Sequence, residues 1–400
     1  MRNVNENFII LAIDTSCDDT SVAITKGRKV LTNCVSSQIE MHKKTGGVVP
    51  IDAARAHEIK LDPLINLALK KSKLDLKEIN AIAVTYGPGL APALDTGVQK
   101  AKILSLNLNI PLIPVNHMAG HTYANFAQNS EGNESLNDVD SLWPRIVLLI
   151  SGGHTEIVLM KSHFDFEIIG ETLDDACGEC FDKVGRMLGL GYPAGPVIEK
   201  FALLGNDNKY NLPRPMSNTK DFNVSYSGLK TATFKLIKAI ANVHGIDAKP
   251  YLTQTESGDI SLNSNQTDID LHENKIKSPP GTDVFILSKE EICDICASFQ
   301  KAAIDTIIIK LDRALKTYKP KELLLGGGVV KNKLLRKQAR KIAKNNGINF
   351  HYPKDTLIVD NAAMIGITGL YQYEYTDFIL RTKEEIERLQ RDPSLTLSLV

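Results

Sequence analysis

The chain has 400 residues, 43% hydrophobic and 24% charged, with 47 Lys+Arg against 47 Asp+Glu and a formal net charge of +0. At roughly 100–200 residues per domain that length calls for two or three units, and the balance excludes wholesale disorder and fibrous architecture. Zero net charge leaves bulk electrostatics silent on nucleic acid, so any basic surface must be local, and no apolar run reaches the ~20 residues that cross a bilayer.

In chain order, residues 8–35 read as a hairpin: FIILAID is an apolar strand, TSCDDT a polar turn and SVAITKG a second strand. Helical periodicity runs through 50–72, carried by Ile51, Ala54, Ile59, Leu61, Leu64 and Leu67. INAIAVTYGPGLAPAL is a buried strand entering a Gly/Pro turn; a helix over 97–106 and a short strand at IPLIPV follow. A second, similar series opens near Pro144, where RIVLLISGGHTEIVLMKS reads as strand, glycine turn, strand, with a helix over 173–189 behind it. An apolar strand at 323–325 runs into LLLGGGVVKN, a third glycine turn that opens a basic helix. This alternation predicts an α/β chain with mostly parallel or mixed sheets covered by helices. The expected organisation is lobe I over 1–126, a mobile polar insertion over 127–143 and lobe II over 144–358. Lobe II carries a disordered insertion at 246–281. The chain then returns to lobe I over 359–375 and ends in a peripheral charged tail over 376–400, with a helical pattern at 383–391.

Six cysteines, Cys17, Cys34, Cys177, Cys180, Cys293 and Cys296, include two CxxC pairs. Both pairs fall in helical patterns without a Gly/Pro knuckle, so small buried thiols are expected rather than zinc or redox centres. The apolar run at 8–13 is too short for a signal-peptide core and no Ala-x-Ala-like site follows it. A reducing cytoplasmic compartment is the expectation.

Several groups can carry chemistry. Glycine lets a backbone approach phosphate and free its N–H groups to point at it. The turns at Ile13-Asp14-Thr15-Ser16, Ser151-Gly152-Gly153-His154-Thr155 and Gly326-Gly327-Gly328 each follow an apolar strand, which suggests a nucleotide between two duplicated lobes. None matches GxxxxGK[ST] or a strand-linked GxGxxG, so P-loop and Rossmann readings fail. His117 and His121, in HMAGH, stand at i and i+4 on one helical face, where they either chelate a divalent metal or pair within a core. A zinc protease needs HExxH, and Met118 occupies the glutamate position. Asp360, in LIVDNAAM, is placed to be a third ligand or a helix N-cap. Asp175, Glu179 and Asp182, with Asp174 before them, are spaced to share a face, for ribose hydroxyls or for solvent. KNKLLRKQARKIAK, over 331–344, holds seven basic residues and no acid; it is either a phosphate track or a solvated face. Lys43, Lys44, Arg55 and Lys60 form a weaker basic zone.

The motifs DTSCDDTSVAI, GGVVP…ARAH, TYGPGLAPAL, HMAGH, LISGGHTEIV, GETLDDACGECFDKVGRMLGLGYPAGP, SYSGLKTA, ASFQ, GGGVVKN and DNAAM occur in that order across residues 8–373. The set resembles the TsaD (Gcp/OSGEP-like) family of tRNA N6-adenosine threonylcarbamoyltransferases. The resemblance implies the two-lobed actin/Hsp70/sugar-kinase-like (ASKHA) fold. It implies transfer of threonylcarbamoyl from threonylcarbamoyl-AMP to N6 of adenosine 37 in tRNAs reading ANN codons. It implies one divalent ion per subunit, iron or zinc, on His117, His121 and Asp360, with Leu149 in place of the tyrosine ligand of archaeal and eukaryotic members. Leu149, Ile150, Ser151, Gly152 and Gly153 match the intermediate-binding loop, and Asp182, Gly195 and Asn332 match further ligand contacts. Implied partners are tRNA with either an inactive paralogue and a small P-loop ATPase, as in the bacterial type, or a second copy, as in the organellar type, and no membrane. Four positions depart from the family's usual pattern: Ala119 and Ile51 each replace a glutamate, and Asp14 and Asp19 are each one methylene shorter.

The amine of adenine is a poor nucleophile, so the expected mechanism needs an activated acyl donor, a stabiliser for the developing oxyanion and a proton acceptor, for which Asp14 or Asp18 in the first turn is available. The competing classes are an O-sialoglycoprotein endopeptidase-like metalloprotease and an ATPase or kinase of the same fold.

Overall fold

The computed structural model describes residues 5–43, 47–133, 142–243, 253–254, 260–261 and 287–397. The hairpin at the start of the chain forms as the alternation of apolar run and polar turn dictates. β1 (Ile9–Asp14) pairs antiparallel with β2 (Asp19–Lys26), and β2 with β3 (Lys29–Ser37). α1 (Ile39–Lys43) and α2 (Pro50–Ser72) then lead to β4 (Ala81–Gly87), which joins β1 in parallel. α3 (Ala91–Leu108) returns the chain to β5 (Leu112–Asn116), parallel to β4, and the short helix α4 (His117–Tyr123) follows at once. The resulting strand order is β3-β2-β1-β4-β5.

The second lobe repeats this plan. β6 (Arg145–Ile150), β7 (Thr155–Ser162) and β8 (Asp165–Glu171) form an antiparallel meander. α5 (Cys177–Met187), α6 (Gly195–Ala202), α7 (Ser227–Val243), the two-residue strands β9 (Thr253–Gln254) and β10 (Ile260–Ser261), and α8 (Lys289–Tyr318) intervene. Then β11 (Glu322–Gly326) joins β6 in parallel, and α9 (Lys333–Asn345) leads to β12 (Asn349–His351), parallel to β11. The order β12-β11-β6-β7-β8 matches that of the first lobe: the opening strand central, two antiparallel strands on one side, two parallel strands on the other. The two-lobed duplicated α/β fold expected from the sequence is therefore present.

Three apolar clusters order the layers. One joins the first sheet to α2 and α3 through Ile13, Val22, Leu61, Ile65 and Val98. Another joins the second sheet to α5 through α9, with Phe181, Phe299 and Leu335. The third lies between the sheets: α4 and α10 (Ala362–Tyr375) put Met118, Tyr123, Met364 and Ile367 against Ile10 and Ala12 on one side and Val147, Leu149 and Leu324 on the other. That shared core holds the two lobes around α4, where the histidine pair sits.

Some elements differ from the pattern reading. α3 starts at Ala91 rather than 97, because Pro92 in its first turn needs no hydrogen-bond partner there. α5 starts at Cys177 rather than 173, with Ala176 at its N-cap and the Asp174 side chain turned to Ser225, Tyr226 and Ser227 at the start of α7. α8 is a 30-residue helix opened by a Ser288–Glu291 capping box, of which the pattern reading had only the helical stretch around Cys293 and Cys296. A 3-10 turn at Asp355–Leu357 leads into α10. The expected mobile insertions fall largely outside the described residues, but Gln128 pairs back onto Lys29 and Val30. Residues 376–397 are not a peripheral tail. Ile386 and Leu389 sit in the core of the first lobe, α11 (Lys383–Arg388) packs on α3, and Leu380 bridges to Leu112.

Candidate active site

α4 starts directly at the end of β5. Asn116 caps it by accepting hydrogen bonds from the backbone N–H of Met118 and Ala119, which fixes the first turn and points His117 and His121 the same way. Their ring centroids lie 4.8 Å apart in an edge-on arrangement. Gly120 seats the helix: an added Cβ would stand 2.9 Å from Ile365 Cδ1 on α10.

Asp360 arrives from the far end of the chain. Its helix-capping alternative is taken by Asn361, whose Oδ1 accepts from the Met364 N–H. The Asp360 carboxylate is thereby left for the site: Oδ1 is 3.2 Å from His121 Nε2 and 3.5 Å from His117 Nε2. One donor atom from each of the three lies within 4.8 Å of the other two. Asp14, at the end of β1, completes the arrangement, with Oδ2 3.6 Å from His117 Nδ1. Burial would lower the basicity of His117, but the Asp360 and Asp14 carboxylates raise its pKa to about 10. Burial would raise Asp360, and the two imidazoles hold it well below the usual carboxylate range.

This donor set fits a cation. His121 is 1% exposed, and neither of its ring nitrogens has a well-aligned hydrogen bond; His117 Nδ1 and Asp14 Oδ2 are likewise buried without one. Buried polar atoms are costly to leave so, and two imidazole nitrogens with a carboxylate oxygen form a set that divalent transition metals accept. Among the described residues, this is the one group of three or more such side chains close enough to hold an ion.

The glycine turns surround it. Gly326 brings β11 against α4, where a Cβ would stand 2.8 Å from the His121 carbonyl oxygen. Gly327 has φ +95° and lies against the Ile150 carbonyl. Ser151 closes the second turn: its N–H donates to the His154 carbonyl and its Oγ accepts from the His154 N–H. Gly152 and Gly153 look onto open space, with no atom within 4 Å of an added Cβ. Leu149 and Ile150, the last two residues of β6, are fully buried with their side chains in two different cores, so they offer a ligand only backbone.

The remaining candidates divide. Asp182 Oδ1 accepts from the Ala194 N–H and so holds the start of α6, where Gly195 faces open space. Asn332 caps α9 through Leu335 and donates to Gln300 Oε1, leaving its amide engaged on both sides. Of the expected shared face, Asp175 and Glu179 converge on Lys183, at 2.6 and 2.9 Å, while Asp182 turns to the start of α6. Asp174 caps α7 by accepting from Ser225, Tyr226 and Ser227, and Asp175 pairs with Lys183 and Lys230 at 2.6 and 2.5 Å. Asp18 lies in the first turn beside Cys17, its pKa raised by burial; Asp19 follows it, pushed up to about 6 by burial. All six cysteines are free; Cys34, Cys177, Cys180, Cys293 and Cys296 are buried and Cys17 is partly so.

The family model described as TsaD, tRNA N6-adenosine threonylcarbamoyltransferase, matches residues 29–367. This chain belongs to the TsaD family. A tRNA N6-adenosine threonylcarbamoyltransferase of Thermosipho melanesiensis is 42% identical over 369 residues, covering 92% of this chain and 96% of that protein. The protein of the same name from Bacillus subtilis is 41% identical over 371 residues, covering 92% of each. Among solved structures, HypF of T. kodakarensis superposes with a TM-score of 0.53 at 15% identity; the match covers 95% of this TsaD chain and 49% of that one, a likeness of fold alone.

The departures from the usual TsaD pattern have physical settings here. Ala119 is fully buried in the core between the lobes, where a carboxylate would lose its water without a cationic partner. Ile51 is 62% exposed on α2 and touches none of the site described above. Sequence reasoning placed His154 in the SGGHT turn but gave it no role of its own. Burial, then the charges of His117 and His121, lower its pKa to about 4 and keep it a neutral imidazole. It also missed a buried chain behind the first turn, in which His57 Nε2 meets the Cys17 carbonyl and Nδ1 meets Thr20 Oγ1, with Gln38 Oε1 linked to His42. His57, in the ARAH stretch, was the available signal.

Proposed function

We propose that this chain transfers the threonylcarbamoyl group from threonylcarbamoyl-AMP to N6 of adenosine 37 in tRNAs reading ANN codons. The observation that carries this reading is the convergence of His117, His121 and Asp360 beside two glycine turns, in a chain whose relatives are named for this transfer. His117, His121 and Asp360 hold one divalent ion, iron or zinc. That ion supplies Lewis-acid polarisation of a carbonyl when bound.

The protein's own groups do the rest. Asp14 fixes the His117 ring from behind, as carboxylates behind metal-bound histidines do. The turn from Ser151 to Gly153, exposed at Gly152 and Gly153, receives the adenylate phosphate, and Asp182 keeps Gly195 in place at the mouth of α6. The adenine N6 forms a bond to the carbamoyl carbon, the bond from that carbon to the phosphate oxygen breaks, and AMP leaves with the electron pair. Asp18, made more basic by burial, accepts the amine proton. His154 stays neutral and so does not compete for it. An unpaired anticodon-loop adenosine is cheap to present to such a site.

A protease reading finds no base, because Met118, in the position that reading needs for glutamate, is buried among apolar side chains. The partners in this reading are tRNA, a paralogous inactive subunit and a small P-loop ATPase, or a second copy of the chain, in the cytoplasm; no helix among the described residues is long and apolar enough to cross a membrane. The test is incubation of the purified chain with threonylcarbamoyl-AMP and unmodified tRNA, with and without those partners. Appearance of threonylcarbamoyladenosine with equimolar AMP is expected; hydrolysis of the donor with unmodified tRNA under every condition overturns the reading.

A further inference from the structure

α9 carries the largest local departure from the chain's charge balance. No acidic residue occurs between Glu322 and Asp355, while 331–344 holds seven lysines and arginines. Leu335, Ala339 and Ala343 turn one side of α9 into the second lobe. Lys333, Lys337, Arg340, Lys341 and Lys344 are exposed, at i, i+4, i+7, i+8 and i+11, a single helical stripe. At 1.5 Å rise per residue that stripe runs roughly 16 Å. None of the five makes an ion pair among the described residues. Arg336 is the exception on this helix: it pairs with Asp355 at 3.0 Å and lies over the Tyr352 ring.

The position matters as much as the charge. α9 begins just beyond Gly326 and Gly327, the residues that touch the His121 and Ile150 carbonyls, and Gly328 lies next to Val359, the neighbour of Asp360. The stripe therefore follows in the chain directly on the glycine turn that borders the candidate ion site. A solvated face would serve with mixed charge; an uninterrupted cationic stripe of this length complements a phosphate backbone. No large apolar side chain interrupts the exposed stripe, which disfavours insertion into a lipid surface.

We propose that the exposed face of α9 tracks the tRNA phosphate backbone flanking the adenosine that enters the site. This rests on the tRNA reading given above. The experiment titrates unmodified tRNA into the full chain over a range of salt, for the wild type and for a variant carrying Lys337→Gln, Arg340→Gln, Lys341→Gln and Lys344→Gln. A second variant, with Lys337→Arg, Lys341→Arg and Lys344→Arg, controls for folding. The glutamine variant is expected to bind at least ~30-fold more weakly at low salt, with the log–log salt slope reduced by about 3. Its KM for tRNA should rise by more than kcat changes, and the arginine variant should match the wild type. A glutamine variant with wild-type affinity and slope, beside a wild type that modifies tRNA, overturns the track and leaves the transferase reading standing. A loss confined to vesicles of anionic phospholipid, with tRNA binding unchanged, overturns it as well. A wild type that neither binds nor modifies tRNA removes the functional reading itself.

Discussion

Asp14 Oδ2 faces His117 Nδ1 across 3.6 Å, while the other nitrogen of the same ring faces Asp360 Oδ1 at 3.5 Å. The imidazole is thus held between two carboxylates from opposite ends of the chain. Asp14 is 1% exposed, and its carboxylate stands behind the ring it faces. Asp14→Asn should leave the fold and donor binding intact and lower metal affinity about 10–100-fold. Metal content after dialysis against graded chelator checks this; wild-type retention would assign Asp14 no part in holding the ion.

The glycine turns separate a structural role from a binding role. Gly327 has φ +95° with the Ile150 carbonyl oxygen 2.5 Å from an added Cβ, so Gly327→Ala should destabilise the protein by about 1–3 kcal/mol. Gly152 meets nothing within 4 Å, so Gly152→Ala should leave the melting temperature unchanged and raise KM for the adenylate donor. Paired thermal melts and donor titrations distinguish the two.

A buried ion pair supports the second sheet. Arg145 Nε donates to Glu322 Oε2 at 2.6 Å, across adjacent strands, with both side chains at most 1% exposed, and the guanidinium lies over the Trp143 ring at 3.9 Å. Arg145→Ala leaves the buried Glu322 carboxylate with His351 alone, 3.3 Å from its other oxygen, and should destabilise by about 3 kcal/mol. Denaturant titration checks this.

Glu156 gives the pH dependence a sign. It lies opposite Glu171 on the neighbouring strand, and burial, then Glu171, push its pKa to about 7 from an ordinary 4.5. The folded state therefore holds a proton that the unfolded state has lost between those values. Its contribution to stability is full below about pH 4.5 and is lost as pH rises through 7. Glu156→Gln should raise the melting temperature at pH 8 and make little difference at pH 4; an equal shift at both values would contradict the assignment.

Much of this was legible in the residues, for physical reasons. Strand–turn–strand runs and the i, i+4 histidines are local patterns, and local geometry alone puts His117 and His121 on one face. The motif order carried Asp360, whose approach to the pair depends on α10 packing between the sheets and on Asn361 relieving it of capping. What failed depended on competition between neighbours. Asp175 fits a helical face with Glu179 and Asp182 by spacing, but it stands ahead of the first turn of α5 and pairs with Lys183 on α5 and Lys230 on α7. Leu389 looked peripheral beside its charged neighbours, yet it buries against the first lobe. The role of His154 escaped because its environment is set by two residues distant in sequence.

The most direct test of the central claim is single-turnover transfer from threonylcarbamoyl-AMP to unmodified tRNA by the Asp360→Ala variant, beside the wild type and with melting temperature and metal content measured on the same samples. The account predicts a folded protein with less than a tenth of the wild-type metal and a transfer rate at least ~100-fold lower. A folded Asp360→Ala protein that transfers at the wild-type rate would contradict it.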